Sequence, residues 1–275
     1  MTTALVATMG ALHEGHLDLV RRAQELADRV VVSIFVNPTQ FGANEDFDKY
    51  PRTLEADRAL LAPLGVEVFA PSVDEVYPTS KVIEPVEITP VEISLNGDFD
   101  KLNHVKATFE GATRPGHFDG MLTVVSRLFD MVKPDVALFG QKDAQQVFLV
   151  RKLVERFYPQ ITLEVVPTNR EVDGLARSSR NRYLSADERT HALVLSRALI
   201  NLSLRLMSAT STGEAIVGAR ASVGAEPEVR LDYLDIVDPA SFAPVDEQFR
   251  GPATAVVAAW VGQTRLIDTI NLVIN

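Results

Sequence analysis

His13 and His16 stand three residues apart at the end of the run A-L-V-A-T-M-G-A-L-H-E-G-H, Ala4–His16. The apolar stretch Ala4–Ala7 has the length and flanks of a buried parallel strand, and it breaks at Thr8-Met9-Gly10. An amphipathic pattern through Leu17, Val20, Ala23, Leu26 and Ala27 then begins near His16. Strand, tight turn and helix start bring the imidazoles to a place where free backbone N–H groups and the positive end of the helix dipole favour an anion. Residues three apart on a helix share a face, so both rings can serve one site. The chemistry indicated is phosphate handling. A strand–helix junction with two solvated histidines is the plainer alternative, and this stretch by itself leaves both open.

Three further clusters follow predicted strands, where a doubly wound sheet binds its ligands. Asn37–Gly42 offers Gln40, whose amide both donates and accepts, although turn chemistry after a strand explains the same residues. In G-Q-K-D-A-Q-Q, Gly140–Gln146, Gly140 allows close approach to the backbone. Lys142 places a cation at a helix N-terminus, which repels cations unless an anion is held there. Asp143 is suited to ribose hydroxyls or to capping the helix. Arg177-Ser178-Ser179-Arg180-Asn181-Arg182 gathers three cations and two hydroxyls in an otherwise acidic chain. Its plain alternative is a solvated basic loop. No G-x-S-x-G elbow, H-E-x-x-H zinc spacing, Walker A loop or dinucleotide fingerprint occurs.

The elements that must position these residues alternate. Val30–Val36 reads as a second buried strand stopped by Pro38, which cannot donate to a ladder. A helix from near Thr53 to Leu64, with Gly65 as its stop, leads to a third strand, Val66–Ala70. Lys81–Leu95 alternates apolar and acidic residues, but Pro85 and Pro90 make it an edge ribbon or an extended excursion, and Asn96–Thr113 is irregular. After Arg114-Pro115-Gly116-His117-Phe118 a helix runs to Val132, then a strand Val136–Phe139, a helix Ala144–Phe157 and a strand Thr162–Val166. The basic loop Arg170–Arg182 marks a boundary. Beyond it come helices Ala186–Met207 and Gly213–Val223. Strands Arg230–Val237, Ala253–Trp260 and Thr264–Val273 follow, the last two joined at Gly262-Gln263. The expected fold is α/β. Residues 1–168 form a Rossmann-like, doubly wound parallel sheet with helices on both faces, and residues 169–275 a smaller α+β domain.

The 275 residues suit one large domain or two moderate ones. With 27 Lys and Arg against 37 Asp and Glu, the formal net charge of −10 argues against non-specific nucleic-acid or anionic-membrane binding. The absence of cysteine removes disulfides, thiolate metal sites and thiol nucleophiles. No apolar run approaches the roughly 18 residues of a membrane span. No basic leader precedes the first strand, so a cytoplasmic location is expected.

The run T-M-G-A-L-H-E-G-H resembles the H-x-G-H signature of the nucleotidylyltransferase superfamily, which includes class I aminoacyl-tRNA synthetases. S-S-R-N resembles that superfamily's second, K-M-S-K-S-like signature. Together with F-V-N-P-T-Q-F-G, R-P-G-H-F-D-G and F-G-Q-K-D-A-Q-Q, these motifs resemble the pantothenate synthetase (pantoate–β-alanine ligase) family from Thr3 to Leu184 and, more loosely, to the C-terminus.

The resemblance implies ATP-dependent ligation of pantoate and β-alanine through pantoyl adenylate, with Mg2+ accompanying ATP, no nucleic-acid or membrane partner, and a homodimer. It implies ATP contacts from Met9, Gly10, Ala11, Leu12, His13, Glu14, Gly15 and His16, from Gly140, Gln141, Lys142 and Asp143, and from Asn169, Arg177, Ser178, Ser179 and Arg180. Of these, His13, His16, Lys142, Ser178, Ser179 and Arg180 would carry the chemistry, His16 as proton donor. Gln40 and Gln146 would hold pantoate, Gln40 lying close to β-alanine as well. The C-terminal domain would close as a lid. The family's helix before the first strand is not in this sequence. Ala7 stands for a usual proline, Gln141 for a glutamate and Arg177 for an apolar residue. The remaining readings are another adenylyl- or cytidylyltransferase, or a nucleotide-binding homologue with impaired catalysis.

Overall fold

The computed structural model describes residues 1–42, 47–78, 102–208 and 210–275, so the expected ribbon at Lys81–Leu95 lies outside the described residues. The chain divides into two compact units. The first comprises Met1–Leu12, His16–Phe139 and Leu149–Val166; the second comprises His13–Gly15, Gly140–Phe148 and Pro167–Asn275.

The first unit is built on a five-stranded sheet. In chain order its strands are β1 (Thr3–Thr8), β2 (Arg29–Ile34), β3 (Glu67–Phe69), β4 (Val136–Gly140) and β5 (Thr162–Val166), and in space β3-β2-β1-β4-β5. β1 runs parallel to β2 and β4, and β2 parallel to β3, with Leu5 opposite Val31 and Ala137. Ala4, Leu5 and Val6 are at most 1 % exposed, so the central strand is covered on both faces. That is why it reads as an unbroken apolar run and not as an alternation. Ala4 and Val6 join Val30, Val32, Leu17, Val20 and Ala23 in one core, which seats helix α1 (Glu14–Leu26).

Helix α2 (Leu54–Leu61) tightens into a 3-10 turn, Ala62–Leu64, and ends at Gly65 with φ +63°, at the stop the sequence indicates. Short helices α3 (Val73–Val76), α4 (Asn103–Lys106) and α5 (Glu110–Thr113) precede the long α6 (His117–Val132). Of these, α4 and α5 supply helical order within the stretch expected to be irregular. Helix α7 (Ala144–Phe157) has the bounds its periodicity predicts.

In the second unit, α8 (Ala186–Met207) and α9 (Thr212–Gly224) pack on an antiparallel sheet, β6 (Val229–Val237), β7 (Gly251–Val261) and β8 (Thr264–Ile274). Leu195, Leu199, Leu202, Leu234, Ile236 and Val257 centre its core. α8 starts with a capping box: Glu188 N–H donates to Ser185 Oγ, and Ser185 N–H donates back to the Glu188 carboxylate. β7 and β8 pair Val261 with Thr264 across a two-residue turn whose Gly262 takes φ +53°.

Candidate active site

β1 and β4 are neighbours at the point where the strand order reverses, the switch point at which open α/β sheets bind ligands. The turn leaving β1 is sharply bent: Gly10 has φ +82° and Ala11 φ +51°. Its amides are already engaged. Gly10 N–H donates to Thr8 Oγ1 at 3.2 Å, Ala11 N–H to Asp57 Oδ2 at 3.0 Å and Leu12 N–H to Asp57 Oδ1 at 2.8 Å. Met9 Sδ accepts from Gln40 Nε2 at 2.8 Å.

Gln40 ends a 3-10 turn, Pro38–Gln40, and is 7 % exposed. Its side-chain oxygen accepts from Asn37 Nδ2 at 3.1 Å, and its main-chain carbonyl meets His117 Nδ1 at 2.8 Å. Asn37, 1 % exposed, also donates to the Gly120 carbonyl, while its oxygen accepts from Thr39 N–H, Thr39 Oγ1 and Tyr77 Oη. Every polar valence of this buried amide is used, which fixes the plane in which Gln40 is presented. Asp57, Tyr77 and His117 are not among the residues expected from sequence, and Asn37 is expected only as part of the Asn37–Gly42 cluster, with no role of its own. Asn37 and His117 lie inside quoted motifs. Asp57 has no signal, for it sits between exposed Glu55 and Arg58 on a polar-looking helix.

The second unit holds the charged part of the expected site. His13, Glu14 and Gly15 belong to it, as do Gly140–Asp143, Gln146, Asn169 and Arg177–Arg180; Met9–Leu12, His16 and Gln40 belong to the first. The His13 imidazole is driven down to a pKa of about 4, first by burial and then by the positive charges of Lys142, Arg177 and Arg182, with Asp143 opposing. At neutral pH it is therefore a neutral ring in a positive field. A Cβ on Gly15 would lie 3.1 Å from that ring, so the glycine admits the close approach. Lys142 Nζ is 3.7 Å from Asp143. Asp143 precedes α7 and is partly exposed.

The loop from Asn169 is more ordered than its composition suggests. Arg170 and Ala176 form an antiparallel bridge, and Arg177 N–H donates to the Asn169 carbonyl at 3.0 Å. Ser178 caps a 3-10 helix, Ser179–Tyr183, its Oγ accepting from Arg180 N–H. Arg177 Nε is buried with no hydrogen-bond partner among the described residues, a donor that suits an anion. β8 braces the neighbouring turn: Thr269 Oγ1 donates to the Gln141 carbonyl at 3.1 Å, and Gln141 Nε2 to Asn271 Oδ1 at 3.1 Å. Gln146 is half-buried in the first turn of α7.

The parallel sheet ordered β3-β2-β1-β4-β5 places the chain among the doubly wound α/β proteins, and the second unit adds the braced glycine–lysine turn and a basic cluster. The family model for pantoate–β-alanine ligase matches residues 1–271. The chain is 54% identical over 266 residues to the pantothenate synthetase of Leifsonia xyli subsp. xyli, covering 96% of this chain and 86% of that one. The crystal structure of pantothenate synthetase from Thermus thermophilus superposes with a TM-score of 0.86 at 44% identity, covering 98% of this chain and 93% of that one. The Francisella tularensis pantoate–β-alanine ligase, crystallised with β-γ ATP and β-alanine, gives 0.72 at 33% identity, with coverage of 98% and 89%. The chain belongs to the pantoate–β-alanine ligase family, the ATP-dependent ligases that form pantothenate. The family match selects the ligase over the nucleotidyltransferase readings. Among the described residues no helix is long and apolar enough to cross a membrane.

Proposed function

We propose that the basic cluster of the second unit holds the phosphates of ATP and that Gln40 and Gln146 hold pantoate. The observation that carries this reading is the buried Arg177 Nε, a donor with no hydrogen-bond partner among the described residues; in a chain of net charge −10, Lys142, Arg177 and Arg182 also act together on the His13 imidazole. A buried donor left without a partner is costly unless a ligand atom meets it.

In the first half-reaction a pantoate carboxylate oxygen bonds to the α-phosphorus while the bond to the β-phosphate bridging oxygen breaks. Pyrophosphate leaves with the developing negative charge. Lys142, Arg177 and Arg180 neutralise that charge, and His16 supplies a proton to the leaving group. Ser178 and Ser179 contribute hydroxyl donors, Asp143 accepts from the ribose, and the Met9–His16 segment lines the nucleotide. In the second half-reaction the β-alanine amine, held near Gln40, bonds to the acyl carbon and AMP departs. Little covalent chemistry falls to the protein, so position and charge carry the rate.

Mg2+ belongs to this reading as the companion of the nucleotide. Among the described residues no group of three His, Asp or Glu side chains gathers into a metal site, so these residues do not form a protein-held cage. The homodimer and the lid role of residues 169–275 rest on the motif resemblance, and the cytoplasmic location on the absence of cysteine. Light scattering on the purified chain tests the first.

The central test is Lys142→Ala. Pantoate-dependent pyrophosphate release in a single turnover should fall by about 10²–10³, the usual loss for one donor aimed at developing charge. Circular dichroism should be unchanged. A folded variant within threefold of the parent rate would overturn the assignment.

A further inference from the structure

We infer that Asp57 is a positioning residue for the adenylation step: its carboxylate is the anion that the turn after β1 binds, and it aims the histidine segment. The inference rests on the reading that His13 and His16 attend the phosphates.

Asp57 lies on α2 and is 3 % exposed. Its two oxygens accept from the amides of Ala11 and Leu12, at 3.0 and 2.8 Å, and Thr53 Oγ1 donates to Oδ2 at 3.2 Å. No cation among the described residues pairs with it. A buried carboxylate is tolerated only when donors converge on it, and two amides and a hydroxyl do so here. An asparagine at this position would present its NH2 to one of three donors.

The backbone shows what the contact accomplishes. Ala11 sits at φ +51°, directly after Gly10 at φ +82°. A left-handed alanine is strained and persists only where its surroundings hold it. The carboxylate does so by tying the amides on both sides of the Ala11 α-carbon. A Cβ on Gly10 would approach Asp57 Oδ2 to 3.0 Å, so the turn closes tightly on the carboxylate. His13 directly follows Leu12 in the chain, and His16 lies within the first turn of α1. The backbone from which the histidine segment departs is therefore held by a residue 46 positions beyond Ala11. The same contact removes two amides from service to a ligand. The turn's part is consequently to position the segment that follows it.

The test is single-turnover pyrophosphate release, together with amine attack on supplied pantoyl adenylate and thermal unfolding, for Asp57→Asn and Thr53→Val. Displacing a catalytic group by about an ångström costs about 100-fold. We expect Asp57→Asn to lose about that factor in the rate of the first half-reaction, with the ATP KM and the second half-reaction each within threefold of the parent. Thr53→Val, which removes only the hydroxyl that orients Oδ2, should lose a few-fold in the same step. It serves as the test where Asp57→Asn does not fold. A folded Asp57→Asn within threefold of the parent in adenylation overturns the inference. So does a parallel fall of both half-reactions, and so does an unimpaired Thr53→Val. A parent protein without pantoate-dependent pyrophosphate release would instead refute the underlying reading of the histidines.

Discussion

Asn37 Nδ2 donates to Gln40 Oε1 at 3.1 Å, and both side chains are buried. Because Asn37 is itself held by Gly120, Thr39 and Tyr77, the orientation of Gln40 is inherited from a rigid network. Asn37→Ala breaks this network and leaves the buried Gln40 Oε1 and Gly120 carbonyl without their donor, and the Thr39 amide without its acceptor. It should destabilise the protein by about 1–3 kcal/mol, the cost of an unsatisfied buried group. It should also raise the KM for pantoate at least tenfold while moving the ATP KM little. Urea unfolding and steady-state kinetics check the two parts, and an unchanged pantoate KM would remove Gln40 from the proposed acid site.

His13 makes stability depend on pH in a definite direction. Its pKa falls from 6.5 in the unfolded chain to about 4 in the fold, so between those values the unfolded state binds more protons. Stability is therefore fully present above pH 6.5 and declines as pH falls towards 4. At pH 5 the decline attributable to His13 is about 2 kcal/mol. His13→Gln should lose correspondingly less stability than the parent between pH 7.5 and 5. Equal losses would show that the ring is not held neutral. Nucleotide phosphates should raise the His13 pKa, because added negative charge favours the imidazolium. NMR titration with and without ATP reads that shift.

Arg170 and Asp268 form a two-pronged ion pair, at 2.6 and 2.9 Å, with Asp268 only 2 % exposed. Burial pushes the Asp268 carboxyl above its ordinary range, against the opposing pull of Arg170. Arg170→Ala leaves that carboxylate buried without its partner, which should cost about 3–5 kcal/mol. Because Thr269, the next residue, hydrogen-bonds Gln141, adenylation should slow as well. Arg170→Ala combined with Asp268→Asn should recover much of the stability. A single variant as stable as the parent would show that the pair contributes nothing to the brace.

Where apolar period and punctuation agree, the elements are legible in the residues themselves. β5 and α7 have the bounds their sequence predicts, because Gly140 and the Tyr158–Ile161 turn leave no competing register. β1 and β2 differ from their expected bounds by one or two residues, the usual scatter at strand ends. The order inside Asn169–Tyr183 is not legible in that way. Its bridge and 3-10 helix depend on local hydrogen bonds such as Ser178 to Arg180 and Asn181 to the Ala176 carbonyl, which a polar composition does not announce.

The sequence alone determined the alternation of strands and helices, the family, and the residue types proposed to meet ATP and pantoate, because these are written in short-range spacing. Only the tertiary structure decided which of those residues are already committed. It places Asp57 against the amides of the turn after β1, bonds Gln40 to Asn37, and sets His13 where burial and the charges of Lys142, Arg177 and Arg182 lower its pKa. The physical reason is that hydrogen bonds and charges act over a few ångströms of space. Asp57 and Ala11 are 46 residues apart, and Lys142 follows His13 by far more than any local pattern can span.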